Sequence, residues 1–421
     1  MKALITGLLI LISTVVWGQE TFTLAECHLL AIENAPRQGD LELIRQMGEL
    51  KMDQAGTSWY PSMNLNGKIS YQSDVVTVTL TDPTIPVEFP QIPHDQYGFN
   101  LDLTQNLYDG GIARSKKSYE EAVTAADLQK VEVDLFGLKG KVNNFFFAIL
   151  VLQENKQNLE IHLENLDARE ETMHTAVANG TLLESELKVI EVEKLKVKQS
   201  IIEVDLRRNS YLEALKVLCG EAFDGPVVLE APQFVEYNSG QMARPEYRLF
   251  DLKHASMEAG KELVARKRMP VLYAYGQTGY GKPGYNMMNP DWDFYYMVGA
   301  GLQWKLWDWS HTKNEKQVIA YQQQVLQNQR ATFDKELESL LVQEEARIEQ
   351  YRQTMEMEEQ VVALQQEISE FAAVKLANGT ITATDYVTEL NKESLARNRL
   401  ATHQVQLMQA MANYLTIQGN L

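Results

Sequence analysis

The sequence predicts a mixed fold, in which a long α-helical coiled-coil barrel continues into a transmembrane β-barrel shared between protomers, with four strands from each. Three observations predict it: very long helical segments with heptad spacing, strands that alternate apolar and polar residues, and an internal duplication of the whole pattern. Each of these features leaves surfaces that one chain cannot cover alone. Copies of the chain must therefore join into a hollow cylinder.

The first long segment, from Ile112 to Val177, is predicted to be a single helix. Its apolar residues recur at steps of three and four without a proline, and they include Leu128, Val131, Leu135, Leu138, Val142, Phe145, Ile149 and Leu152. At about 1.5 Å per residue such a helix is roughly 100 Å long. A compact core cannot bury one apolar stripe of that length, so other long helices must lie alongside it.

Four segments predict strands: 60–72, 97–107, 270–280 and 293–306. Each is long enough to cross the apolar layer of a bilayer when tilted, and aromatic residues lie toward the strand ends. The competing interpretation is a soluble sandwich with one face of each strand in a core. The third strand is ambiguous, because Tyr273 and Tyr275 oppose Leu272 and Ala274. Four strands are too few to close a barrel with a lumen.

The sequence pattern of the first half of the chain recurs in the second half. Asp109, Gly110 and Gly111 mark the first strand-to-helix junction and Asp308 marks the second. Each second-repeat landmark follows its counterpart by 199 residues: Asp308 after Asp109, Gly379 after Gly180, and Gly419 after Gly220. The predicted organisation is a signal peptide (1–18), a first repeat (19–220) with a helical hairpin at 112–218, a connecting segment (221–243), and a second repeat (244–421) with a hairpin at 311–418.

Composition limits the classes of function. The net charge of −18 excludes nucleic acid as a partner, because phosphates would not be neutralised. Lys2 followed by an apolar run to Val16 predicts a secretory signal, and no later apolar run is long enough to predict a transmembrane helix. The two cysteines, Cys27 and Cys219, could form a disulfide in an exported protein, although two separate, partly buried thiols are the interpretation that the sequence favours.

The sequence contains no constellation typical of an enzyme. The seven histidines show no metal-ligand spacing, and no nucleophile elbow or phosphate-binding glycine loop is present. The acidic residues on the helices are too dispersed to nominate an acid–base pair. We therefore expect no catalytic residue, no cofactor and no metal site, and we interpret the histidines as surface or packing residues.

At this point the residues resemble the TolC-like outer-membrane efflux protein family. The resemblance runs through Thr23–Cys27, Gln105–Gly111, Asn179–Gly180, Arg244–Glu246, Leu306–Asp308 and Asn378–Thr380, and covers nearly the whole mature chain. It implies a homotrimer with a 12-stranded barrel in outer-membrane lipid and a long helical periplasmic tunnel. Members of this family are passive ducts that dock onto a periplasmic adaptor protein and an inner-membrane transporter.

The resemblance also implies a periplasmic tip at two turns, Asn179-Gly180-Thr181 and Asn378-Gly379-Thr380. Asp385 matches the acidic residue that constricts the family's pore, and Glu186 occupies the equivalent place in the first repeat. Such carboxylates would repel anions and attract cations. The alternative is that both are ordinary first-turn acids favoured by the helix dipole. The arginine that helps close the family's pore has no counterpart, since this chain has Ile381 and Leu182 at the corresponding places.

Three other functions compete with a small-molecule efflux duct. The first is the outer-membrane component of a type I protein secretion system, which the duct sequence does not separate from efflux because the pump and adaptor choose the cargo. The second is a soluble periplasmic coiled-coil scaffold with a small β module, which would extract from cells without detergent. The third is a periplasmic enzyme, which would need a convergent polar pocket that the sequence does not show.

Overall fold

The computed structural model describes residues 20–77, 90–220, 227–233 and 242–421. The elements, in chain order, are β1 (Glu20–Phe22), α1 (Leu24–Glu33), α2 (Asp40–Gly56), β2 (Ser62–Tyr71), β3 (Asp95–Tyr108), α3 (Ile112–Phe136), α4 (Leu138–Ala178), α5 (Glu184–Cys219), β4 (Val227–Leu229), α6 (Pro245–Arg266), β5 (Val271–Lys282), β6 (Asp293–Gln303), α7 (His311–Ala377) and α8 (Ala383–Gln418). The predicted signal peptide, 1–18, lies outside the described residues, as does much of the connecting segment.

The long helices have almost the bounds that heptad spacing predicts. The first predicted helix is divided into α3 and α4 by Gly137, which keeps helical angles of φ −60° and ψ −17°. The interruption is therefore a single residue without a change of backbone conformation. Its second-repeat counterpart, α7, is one helix of 67 residues, which corresponds to roughly 100 Å.

The chain forms two compact units, and each takes segments from both predicted repeats. The helical unit contains residues up to Gln38 together with Asp134–Arg244 and Asp334–Leu421. The sheet unit contains Gly39–Val133 and Pro245–Phe333. Each unit is discontinuous in sequence, because the long helices α3–α4 and α7 carry the chain from one unit into the other.

In the helical unit, α4 is the central helix and packs against both α5 and α8. Phe146, Phe147 and Ile149 of α4 are fully buried there, and α1 covers them from one side. Near the other end of α4, Leu166 and Met173 pack in a second cluster with residues of α5, α7 and α8. The short strands β1 and β4 pair in parallel beside the first cluster. These contacts place α5 and α7 at the two sides of the unit.

One helical stretch, Ile112–Ala178, contains a window apolar enough to cross a membrane by length and composition alone, and 44% of that window is buried. The central helices of soluble cores meet the same criterion. Two residues of this stretch, Phe146 and Phe147, are fully buried in the helical unit.

The sheet unit contains a four-stranded antiparallel sheet in the order β2-β3-β5-β6. The strand bounds lie within a few residues of the predicted ones. The largest difference is at β6, which ends at Gln303 rather than at the predicted Leu306. Gln303 pairs with Val271, the first residue of β5, so the ladder has no further partner there.

Candidate functional site

One face of the sheet is apolar and exposed to the surroundings of the chain. Register places alternate residues of all four strands on this face, since directly paired residues share a side. Leu65 at the middle of β2 is 75% exposed and Val298 at the middle of β6 is 77% exposed. The exposed members of the face are Met63, Leu65, Ile69, Tyr71, Tyr97, Phe99, Leu103, Tyr108, Leu272, Tyr280, Phe294, Tyr296, Val298 and Leu302. A patch this wide is not tolerated in water by an isolated chain.

The opposite face of the sheet is polar and internally hydrogen-bonded. The carboxylate of Asp102 on β3 accepts bonds from Asn66 Nδ2 of β2 at 2.6 Å and from Gln277 Nε2 of β5 at 2.7 Å. The rings of Tyr273 and Tyr275 also lie on this face, over Gly301 and Gly299 of the next strand.

This register settles the orientation of β5, which the sequence left ambiguous. Leu272 and Ala274 point to the apolar face, opposite Leu302 and Ala300 of β6, and the tyrosines between them belong to the polar face. A sheet with one apolar and one polar face suits a wall between lipid and water.

Both edges of this sheet are long. Among the described residues, β2 pairs only with β3 and β6 pairs only with β5. β2 has 10 residues, and alternate residues of an antiparallel strand direct both N–H and C=O outward, so about five residues present unpaired groups. Open edges of this kind need another strand, and they are especially costly in lipid.

The two side helices of the helical unit each carry an exposed apolar seam. On α7 the seam consists of Met357, Val361, Leu364, Ile368 and Phe371, at alternating steps of four and three. On α5 it consists of Val192, Leu195, Ile202 and Leu206. Apolar residues at heptad spacing are normally buried by packing against another helix. Since α4 and α8 lie between them, α5 and α7 cannot cover one another within one chain.

The two predicted tip turns have the same backbone geometry. After α4, the N–H of Thr181 donates to Ala176 O at 2.9 Å and Gly180 has φ +70°. After α7, the N–H of Thr380 donates to Lys375 O at 2.9 Å and Gly379 has φ +68°. Both are Schellman endings, which require a residue in the left-handed region and so favour glycine. Their match shows the duplication at the level of single hydrogen bonds.

The two predicted gate carboxylates cap helices. Asp385 lies in the first turn of α8, where its Oδ2 accepts bonds from the Thr382 N–H at 3.1 Å and the Thr382 hydroxyl at 2.8 Å. Glu186 lies in the first turn of α5, yet its Oε2 accepts a bond from the N–H of Ala383, the first residue of α8, at 2.5 Å. The bonds from Thr382 lower the pKa of Asp385. A role of either residue in constricting a pore remains a prediction.

The strand-to-helix junctions also match. Asp109 accepts bonds from the N–H groups of Gly111 at 2.8 Å and Ala113 at 2.7 Å, and so caps α3. Asp308 accepts from the N–H of Thr312 at 3.0 Å and caps α7 in the same way. The predicted Gly110 and Gly111 both have positive φ.

At the second junction the residues in those two places are not glycines. Trp309 has φ +50° and Ser310 has φ +64°. Both residues therefore adopt a left-handed backbone conformation, which costs free energy for a residue that has a side chain. Trp309 is 85% exposed, and its ring packs edge-on against Trp307 with 5.9 Å between centroids.

A buried polar layer crosses all four long helices of the helical unit, and sequence reasoning missed it. His162 of α4 is buried near Glu193 of α5 and Glu393 of α8. Asn391 Nδ2 donates to Glu193 Oε1 at 2.9 Å, and the hydroxyl of Ser369 on α7 donates to Glu393. Burial lowers the pKa of His162, and the charge of Glu193 opposes that effect. The residues of this layer come from four helices far apart in sequence, so no local pattern predicts it.

One further group of side chains has the composition of a metal site. Glu170, His174 and Glu191 place one ligand atom each within 4.8 Å of one another. Lys194 forms an ion pair with Glu170, and Lys188 Nζ lies 2.8 Å from Glu191. Because each carboxylate already has a lysine partner, we describe this group as an ion-pair cluster and assign no metal to it.

No protein-family model matches the sequence, and no curated protein sequence matches it either. Solved structures do match over almost the whole chain. The outer membrane protein VceC of Vibrio cholerae aligns with 94% of this chain and 96% of its own, with a TM-score of 0.65 at 12% identity. The Campylobacter jejuni CmeC outer membrane channel covers 96% of this chain and 90% of its own, with a TM-score of 0.64 at 14% identity.

The Neisseria gonorrhoeae MtrE outer membrane channel in its open state gives a similar result. It covers 94% of this chain and 88% of its own, with a TM-score of 0.65 at 13% identity. The chain therefore has the fold of outer-membrane channel proteins, and the fold class predicted from the sequence is confirmed. At these identities the similarity establishes the fold alone.

Proposed function

We propose that this protein is the outer-membrane exit duct of a tripartite efflux or export system. In this proposal three copies form one barrel in the outer membrane and one helical tunnel in the periplasm. The duct is a passive conduit that docks onto a periplasmic adaptor protein and receives its cargo from an inner-membrane transporter. The observation that carries the proposal is the four-stranded sheet with an exposed apolar face, a polar opposite face and two long open edges.

The apolar face supports a position in lipid. All four strands expose large apolar side chains there, while the other face carries the amide and carboxylate network around Asp102. A soluble scaffold would leave the apolar face in water, which would favour aggregation. In a barrel wall, lipid covers the apolar face and the polar face lines the lumen.

The open edges support assembly from several copies. A four-stranded sheet has too few strands to close around a lumen, whereas β2 of one copy and β6 of the next can complete each other's hydrogen bonds. Three copies would contribute twelve strands, which is the number that the family resemblance implies. The seams of α5 and α7 support the same arrangement, because each copy offers one of each to its two neighbours.

The tip turns supply the surface for the adaptor. The proposal places Asn179-Gly180-Thr181 and Asn378-Gly379-Thr380 at the periplasmic end of the tunnel. The backbone N–H groups and the threonine hydroxyls of these short turns are bonded within the turns, which fixes the backbone that the proposal offers for end-on docking. Solved structures that share the fold, such as CmeC and MtrE, are named as outer membrane channels.

The test is to express the full chain in a Gram-negative host and to separate soluble, inner-membrane and outer-membrane fractions. We expect the protein in the outer-membrane fraction, extracted only with detergent, with the mass of three copies and with ion conductance in planar bilayers. A water-soluble monomer with intact helical content would contradict the proposal.

A matched pair of variants tests the orientation of the sheet. Leu65→Arg places a charge on the apolar face and should cost about 2–4 kcal/mol at the middle of a bilayer, so it should reduce the amount of assembled barrel. Asn64→Arg places the same charge on the polar face of the same strand and should assemble normally. Equal assembly of both variants would show that this face does not meet lipid.

Co-purification with an adaptor and a transporter tests the tripartite part of the proposal separately. A cross-linkable residue at Thr181 or Thr380 should capture the adaptor, whereas the same residue at Glu213, on an exposed part of α5 far along the sequence from the turn, should not. If the protein forms an outer-membrane channel but captures no such partner, the channel part of the proposal stands and the tripartite part is rejected.

A further inference from the structure

The two cysteines of the chain meet in the core of the helical unit, although they are far apart in sequence. Cys27 lies in α1 and Cys219 is the last residue of α5. The thiol of Cys219 donates to the backbone O of Cys27 with 3.5 Å between sulfur and oxygen, across a separation of 192 residues. The two thiols are also within hydrogen-bond reach of each other. Both are free thiols in the structure, and the exposed fraction is 0% for Cys27 and 3% for Cys219.

Packing on both sides holds this pair in place. A capping box formed by Thr23 and Glu26 fixes the start of α1, directly before Cys27. At the other end of α1, Asn34 Nδ2 donates to Leu218 O at 3.2 Å, beside Cys219. Both cysteines belong to the apolar cluster built around α4. The sulfur atoms are therefore brought together by the docking of α1 on α5.

We propose that Cys27 and Cys219 form a disulfide that joins α1 to the C-terminal end of α5 in the exported protein. This inference rests on the proposed function in one respect, namely that the chain reaches the oxidising periplasm. The sequence contains no third cysteine, so no alternative pairing within the chain competes. Exported proteins retain disulfides, whereas cytosolic thiols are kept reduced.

The bond forms by two exchanges with the disulfide of an oxidised thiol–disulfide oxidoreductase. The Cys219 thiol gives up its proton, and its thiolate attacks one sulfur of the enzyme disulfide, so that the other enzyme sulfur leaves as a thiolate. The Cys27 thiolate then attacks the Cys219 sulfur of the mixed disulfide and releases the second enzyme sulfur. The two protons of the cysteines end on the two enzyme thiols, and the enzyme disulfide is reduced by two electrons.

Either cysteine can be the first nucleophile, and the exchange balances in the same way with the two exchanged. Because both sulfurs are buried once α1 has docked, the exchange has to occur while the helical unit is folding. The finished bond is then shielded from thiols in solution.

The test uses the full-length protein recovered from the outer-membrane fraction of a Gram-negative host. The protein is denatured in the presence of iodoacetamide, with or without prior reduction, and its mass is measured. We expect no adduct without reductant and two adducts after reduction. The single variant Cys219→Ala is the control, since its lone Cys27 thiol should be alkylated once without reductant. In a host that lacks the periplasmic oxidoreductase, the wild-type protein should take two adducts directly.

Two adducts on unreduced wild-type protein from the normal host would overturn the inference while leaving the proposed function intact. Failure of the proposed function is read independently, from the cell fraction in which the chain is found, and the disulfide inference is rejected with it only if the chain is not exported. The double variant Cys27→Ala/Cys219→Ala gives a second readout. Reductant should lower the thermal unfolding midpoint of the wild-type protein and leave that of the double variant unchanged.

Discussion

The carboxylate of Glu186 accepts a hydrogen bond from the backbone N–H of Ala383 at 2.5 Å, and this bond joins the ends of the two helical hairpins across 197 residues of sequence. Glu186 belongs to the first turn of α5, and Ala383 is the first residue of α8. The N–H groups of a helix's first turn have no partner inside the helix. One repeat therefore supplies an acceptor that the other repeat needs.

Glu186→Ala should loosen the start of α8. Removing the acceptor leaves the Ala383 N–H without this partner, and a hydrogen bond to a charged group is worth about 1.5–3 kcal/mol. Hydrogen exchange of the amides at Ala383 and its neighbours should become faster, while exchange in the middle of α8 should not change. Glu184→Ala is the matched control, because Glu184 lies in the same first turn of α5 and carries the same charge. Equal effects of the two variants would mean that helix-dipole charge, rather than this bond, holds the tip.

Asp385 should make the start of α8 sensitive to acid. Its bonds from Thr382 lower its pKa below the ordinary value of 3.8, so its contribution to stability is complete above that value and is lost as the pH falls through the folded pKa. Exchange of the α8 first-turn amides, corrected for intrinsic pH dependence, should accelerate below about pH 4. Asp385→Asn should remove this dependence, since the amide has an acceptor but does not titrate. Acid sensitivity that persists in the variant would assign it to another group.

The double variant Glu186→Ala/Asp385→Ala tests the gate prediction. If the tip forms a constriction lined by these carboxylates, removing them should raise ionic conductance in planar bilayers and weaken block by divalent cations. Because both groups cap helices, the result needs a control with the caps retained. Glu186→Gln/Asp385→Asn keeps acceptors and removes charge, so it should weaken divalent block with little change in conductance. Unchanged conductance and block in both variants would limit these residues to capping.

The sequence predicted the elements well where local pattern decides them. Heptad spacing placed the long helices almost to the residue, and Asn-Gly pairs placed their ends, because the left-handed conformation at Gly180 and Gly379 strongly favours glycine. The pattern could not orient β5, in which tyrosines alternate with smaller apolar residues. Only pairing with β6 decides which set faces outward.

The rest of the site depends on contacts between distant segments, which one sequence does not reveal. The bond from Ala383 to Glu186 and the contact between Cys27 and Cys219 each join residues nearly two hundred positions apart. The polar layer around His162 likewise needs four helices to be in register. The family resemblance implied a gate role for Glu186 and Asp385, with first-turn acids as the alternative, and the structure shows the hydrogen bonds through which each caps the start of α8.

The apolar seam of α7 should hold protomers together. Leu364 lies at its centre and is 60% exposed in one chain, and our proposal covers it with α5 of a neighbour. Leu364→Glu would place one charge per copy in an apolar interface, which costs several kcal/mol when the charge has no partner. We expect loss of trimers when the mass of the detergent-solubilised protein is measured. Ala363→Glu adds the same charge to an exposed position off the seam and should leave trimers intact; dissociation by both variants would point to a general effect of charge on α7.

Ser310→Gly should stabilise the junction before α7. Ser310 has φ +64° where the first repeat has Gly111 at +83°, and a side chain in this region costs about 1–2 kcal/mol. Glycine removes that cost but is more flexible in the unfolded chain by about 0.4–1 kcal/mol, so a net gain of about 1 kcal/mol or less is expected. The reverse variant, Gly111→Ser, isolates backbone strain, because a Cβ there would meet only Arg266 at an ordinary 3.6 Å. Thermal unfolding in detergent should move up for Ser310→Gly and down for Gly111→Ser. Lower midpoints for both variants would mean that the Ser310 side chain stabilises the junction by more than its backbone strain costs.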